Sequence, residues 1–209
     1  MRRPTSSRAL LAAAGGAVAA SLAGCTSSAS SENDDPQYRR VELTDADSVD
    51  DAHGFAIDVS VLEPDVTPER TARVRIQITN QGDTRHIAPP LPDEGVFSGY
   101  RDATSNPAGL LLLHVTGNRS DDPDDGDGRW SEQNPNGGGG EGKGTWEFPS
   151  GETQTHEYRV FDDSDEEGYI EPGSYRFETE LLHKPLDGDD QSWSSTVWGF
   201  TLDVSRVEG

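Results

Sequence analysis

One cysteine, one methionine and two lysines are all that 209 residues contain of these types. A single thiol allows no disulfide within the chain, so packing and hydrogen bonds must hold any fold. Basic charge is scarce too: 17 Lys+Arg face 39 Asp+Glu, a formal charge of −22. That balance excludes a nucleic-acid binder, whose phosphate contacts need a basic patch, and an electrostatic binder of anionic membrane surfaces. No apolar run reaches the ~20 residues that span a bilayer. GxSxG and HExxH do not occur, and no repeat of fixed period is present.

What is abundant is equally informative. Asp (23) exceeds Glu (16), and Lys143 and Lys184 are the only lysines. Short carboxylates hold water and cations at high salt, whereas long lysine stems expose apolar surface once their charge is screened. The composition suits a protein of an extreme halophile.

Residues 1–24 read as an export signal. Arg2, Arg3 and Arg8 form its charged region, and residues 9–22 form a run of 14 small or apolar residues, long enough for a signal core but not for a membrane span. Leu22-Ala23-Gly24-Cys25 then has the form of a lipobox: small residues admit a peptidase, and the cysteine sulfur takes the lipid. Cys25 is the expected lipidation site and the membrane the expected partner through that lipid. The arginine pair resembles a twin-arginine signal, with Sec export as the alternative. Removal of 1–24 leaves 14 basic and 39 acidic residues, or −25. Residues 25–36 comprise this cysteine and a polar tether, whose 11 residues after Cys25 reach roughly 18 Å. Residues 37–209 are expected to form one domain.

That domain reads as strands. Phe55, Ile57, Val59 and Val61 alternate with polar residues, as do Ala72, Val74, Ile76 and Ile78, then Tyr175, Phe177, Thr179 and Leu181, and finally Trp198, Phe200, Leu202 and Val204. Period two with β-branched and aromatic residues marks half-buried strands. Val41 with Leu43, residues 110–115, Trp146 with Phe148, and His156 with Tyr158 and Val160 add four more. Eight strands separated by Gly (23) and Pro (13) predict an all-β, antiparallel immunoglobulin-like β-sandwich, with an antiparallel β-barrel as the alternative.

The run from Ala72 to Asp83 (ARVRIQITNQGD), followed downstream by Ile170 to Phe177 (IEPGSYRF), resembles immunoglobulin-like domains of prokaryotic surface proteins, among them the BsuPI-type proteinase-inhibitor sandwich and CARDB-type adhesion modules. With the lipobox and the acidity, the whole resembles lipoproteins of haloarchaea. The resemblance implies a fold rather than a function.

Several places are candidates for function. Residues 117–144 form a long acidic, Gly-rich connection, expected to be mobile. Its Asp122, Asp124, Asp125 and Asp127, and separately Asp163, Asp165 and Glu167, are the positions that would hold Ca²⁺ if any do. Neither set meets the EF-hand pattern, because the first never places acids at positions one, three and five before Gly, and the second has Ser174 where the bidentate Glu belongs. No resident metal or cofactor is therefore expected. Asn118-Arg119-Ser120 is an N-glycosylation sequon. Trp130, Trp146 and Trp193 lie in or beside loops and would form an aromatic binding surface if they converge. His53, His86, His114, His156 and His183 show no close pair in sequence, so a zinc or catalytic site would need assembly from distant strands.

The resulting expectation is a non-enzymatic, lipid-anchored module that binds a surface protein or ligand outside the cell. A protease inhibitor and a hydrolase assembled from distant carboxylates or histidines are the alternatives. Convergence of His86, His114, His156 and His183 would favour the hydrolase, and a flat aromatic surface with scattered histidines the binding module.

Overall fold

Period-two alternation produces two antiparallel sheets packed face to face. The computed structural model describes residues 38–88, 95–97, 103–115, 128–132, 145–186 and 192–207, all within one compact unit, Asp35–Gly209. The strands are β1 (Arg39–Ala46), β2 (Phe55–Glu63), β3 (Asp65–Val66), β4 (Arg73–Asn80), β5 (Arg85–Ala88), β6 (Leu110–His114), β7 (Ser131–Glu132), β8 (Trp146–Phe148), β9 (Thr153–Asp163), β10 (Gly173–Pro185) and β11 (Ser194–Arg206). One sheet has the order β3-β1-β11-β10-β5-β8 and the other β2-β4-β9-β6, with β7 added in parallel beside β9. Neither closes on itself, so the architecture is an antiparallel β-sandwich rather than a barrel. Among the described residues the only helical turn is a three-residue 3-10 turn, Asp51–His53.

All eight expected strands are present, and the in-phase residues point inward. Val74, Ile76 and Ile78 of β4 meet Phe177, Leu181, Trp198, Phe200 and Leu202 of the opposite sheet in one core, all fully buried. β10 and β11 pair over eleven residues, from Gly173↔Val204 to His183↔Ser194. Gly199 permits this pairing: a Cβ there would come within 2.4 Å of the Phe177 carbonyl.

Residues 128–132, in the middle of the 117–144 connection, are docked rather than loose. Trp130 is 2% exposed. Its ring packs edge-on against Phe161 at 5.7 Å, its Nε1 donates to the Thr67 carbonyl (2.8 Å), and its backbone N–H donates to the Tyr169 hydroxyl (3.0 Å). A residue expected at a loop surface is part of the core.

Candidate functional site

Several polar residues in phase with the buried apolar ones lie at the two ends of the sandwich. At the end where the chain enters, Tyr38 accepts a hydrogen bond from the Val207 N–H (3.3 Å). There Arg39, in phase with Val41 on β1, is buried and donates to the carbonyls of Ile170 (2.7 Å) and Tyr169 (3.2 Å). Burial lowers its pKa from the ordinary arginine value. Asp162, in phase with Tyr158 and Val160 on β9, accepts from the Ile170 N–H (2.7 Å) and the Ser131 hydroxyl (2.9 Å). Burial pushes its carboxyl above the usual range, against the pull of those two donors. Arginine and aspartate thus clamp the same loop from both sides. This is structural chemistry.

The opposite end carries a different set. His183, in phase with Leu181 on β10, reaches across the sandwich to His53 on the turn before β2. Nδ1 of His53 and Nε2 of His183 are 3.1 Å apart, so one proton lies between them. Phe55 meets the His183 ring edge-on at 5.1 Å. The Arg85 guanidinium lies 4.8 Å from the Phe55 ring centre and donates to the His53 carbonyl. Burial first, then the nearby charges of Arg85 and His53, lower the His183 pKa to about 4. Asn80 at the end of β4 completes the corner. Its side-chain amide is shared among the carbonyls of Phe148 (2.8 Å), Asp83 (3.0 Å) and Pro149 (3.1 Å), tying one sheet to the other.

On the outside of this end, Trp193 stands 38% exposed, with the Lys184 ammonium 5.0 Å from its ring centre. Leu186 and Val197 are exposed nearby on the same hairpin, Val197 at 62%. Lys184 and His86 are opposite one another in register, and His86 in turn faces Glu147.

The expected positions divide accordingly. Of the three tryptophans, Trp130 is in the core, Trp146 is half-buried with its ring 5.0 Å from Phe148, and Trp193 faces solvent. The rings therefore do not form one platform. His114 and His156 are neighbours, with ring centres 5.5 Å apart. His156 is buried, and burial plus the adjacent His114 lowers its pKa to about 4. The histidines thus form two separate pairs, with His86 on the other face of its sheet. Asp163 is buried and accepts the Asp165 N–H at 3.2 Å, whereas Asp165 and Glu167 are exposed. Among the described residues no three His, Cys, Asp or Glu side chains converge as metal ligands would, and no helix is long and apolar enough to cross a membrane. Cys25, Asn118, Asp122, Asp124, Asp125 and Asp127 lie outside the described residues.

Sequence reasoning missed the His53–His183 contact and the roles of Arg39, Asn80 and Asp162. A signal was present: each of Arg39, Asn80, Asp162 and His183 continues an inward-facing alternation. A polar residue in that phase needs a partner, because burial without one costs about 1–3 kcal/mol. No family model, curated protein or solved structure matches this chain.

Proposed function

We propose that this chain is a lipid-anchored, extracytoplasmic binding module of a halophile that holds a surface protein with the end of the sandwich farthest from its tether. The observation that carries the reading is the polarity of β11. Its last residues pair with the start of β1, where the tether joins, while Trp193 precedes its first residue. Thirteen residues at ~3.3 Å each put these ends about 40 Å apart along the strand. The described chain thus enters at one end of β11, and Trp193, Lys184 and Leu186 lie at the other. At that end Trp193 carries the reading, because an exposed tryptophan is among the residue types most enriched at interface hot spots. The histidines do not converge as a hydrolytic centre would need, and the aromatic side of the binding reading rests on Trp193 alone, since Trp130 is in the core and Trp146 is half-buried.

The test is cross-linking on intact cells in molar salt with three forms of the protein. The native chain captures a surface protein, Cys25→Ser moves to the medium, and Trp193→Ala stays membrane-bound but loses the partner. Membrane retention of the Cys25→Ser form defeats the anchor, and undiminished capture by Trp193→Ala defeats the distal site.

A further inference from the structure

β2 is a nine-residue edge strand with one side unpaired among the described residues. Gln81 N–H donates to the Gly54 carbonyl at 2.9 Å, and this fixes the phase of the ladder with β4. Ala56, Asp58 and Ser60 direct their backbone groups toward β4, so Ile57, Val59 and Val61 direct theirs away from it. The same three side chains face the core but are only half-buried, whereas Val74, Ile76 and Ile78 directly across on β4 are fully buried. Among the described residues, these three side chains keep part of their surface in solvent along this border. Edge strands are ordinarily blunted by lysine, proline or an inward charge. β2 has none of these, and its bulge lies at its far end, between Val61 and Glu63.

We propose that β2 pairs with β2 of a second copy of this chain, antiparallel about a two-fold axis at Val59, joining two five-stranded sheets into one. The strand is complementary to itself in that register. Val59 exchanges both backbone hydrogen bonds with its equivalent, Ile57 lies opposite Val61 and Asp58 opposite Ser60, and the pairing ends at the bulge that follows Val61. A shift of two residues that brought Asp58 opposite Asp58 would set like charges face to face, which is destabilising. Pairing runs along the regular part of the strand, before the bulge, and closes the half-buried row of Ile57, Val59 and Val61. The two copies repel through their net charge of −22 each, so the dimer belongs to molar salt, where screening acts within about 3 Å.

Sedimentation velocity on the full chain carrying Cys25→Ser, in molar KCl, reads the association. The expected result is a dimer of the 22.6 kDa chain that becomes a monomer with Val59→Pro. That substitution removes an outward N–H and leaves the bonds to β4 in place, as proline on an edge strand does. Register is read separately by mixing Asp58→Cys and Ser60→Cys chains. Their Cα atoms would lie about 4.5 Å apart in a non-hydrogen-bonded pair, within disulfide reach, whereas Asp58→Cys alone would place its two thiols on a diagonal of about 7–8 Å. Disulfide formation in the mixture and not in Asp58→Cys alone supports the arrangement, even if Val59→Pro fails to fold. A monomer at every concentration, including one that takes up an added extended peptide along β2, overturns it. So does a dimer without the mixed disulfide.

Discussion

Asn80 shows how much one side chain can carry here. Its amide is fully buried and supplies the donors for carbonyls at the start of the turn after β8, while its Oδ1 accepts the Gly82 N–H at 3.1 Å. Asn80→Ala leaves buried carbonyls unpaired, and the expected loss is about 2–3 kcal/mol in urea unfolding with an unchanged slope. The histidines set the pH response. His156 and His183 have folded pKa values near 4 against an ordinary 6.5. The unfolded chain therefore takes up protons first, and stability that is complete above pH 6.5 is lost as pH falls toward 4. Asp162 has the opposite sign: its raised folded pKa costs stability as pH rises past the unfolded carboxylate value. Thermal melts at constant molar KCl should show Tm falling from pH 7 to 4.5, and the double variant His156→Gln/His183→Gln should flatten that slope. A slope unchanged in the double variant would assign the effect elsewhere.

Elements are bound together less by their length than by a few contacts from the connections. β3, β5 and β7 have two to four residues and, unlike the equally short β8 with Trp146 and Phe148, none has two large apolar residues in phase, so they escape sequence reading. They are placed by what they meet. β7 lies beside β9 because Trp130 and Ser131 have partners on β9 and on the loop that follows it. Trp130→Ala removes a ring that is 2% exposed and is expected to cost about 3–5 kcal/mol. The same variant should expose the Arg129 peptide bond, in the described stretch 128–132, to limited tryptic cleavage under conditions where the native bond resists. Equal cleavage of both at Arg129 would mean that the tryptophan does not secure residues 128–132.

At the scale of the whole molecule, charge is the dominant variable. Ion pairs such as Arg73–Glu157–Arg75 on the outer face of the smaller sheet and Arg176 with Asp47 and Glu178 are partly exposed, and such pairs contribute about 0–1 kcal/mol each. Against them stands the excess of 22 negative charges. Salt weakens the pairs but also the repulsion, and the excess decides the sign. The Debye length contracts from roughly 30 Å at 0.01 M to about 3 Å at 1 M, so carboxylates that repel across the domain at low salt feel only their neighbours at high salt. Tryptophan-fluorescence melts should give a Tm that rises with NaCl across this range, with reversible loss of structure at the low end. A Tm independent of salt would refute adaptation to molar salt.

Local alternation was enough to determine the class of fold, eight strands and most of the core, because side chains on a strand alternate faces whatever the strand pairs with. Composition determined the expected charge repulsion in the same direct way, since it depends on a count and not on a shape. Only the tertiary structure decided which distant residues meet. His53 and His183 are 130 positions apart in the chain, and Arg39 and Ile170 are 131 apart. The first contact follows from how the two sheets face each other and the second from the strand order β1-β11-β10, neither of which any periodicity encodes. Trp130 is the clearest case. Its neighbours in sequence are those of an exposed loop, and its burial depends on Thr67, Phe161 and Tyr169, contributed by three other parts of the chain.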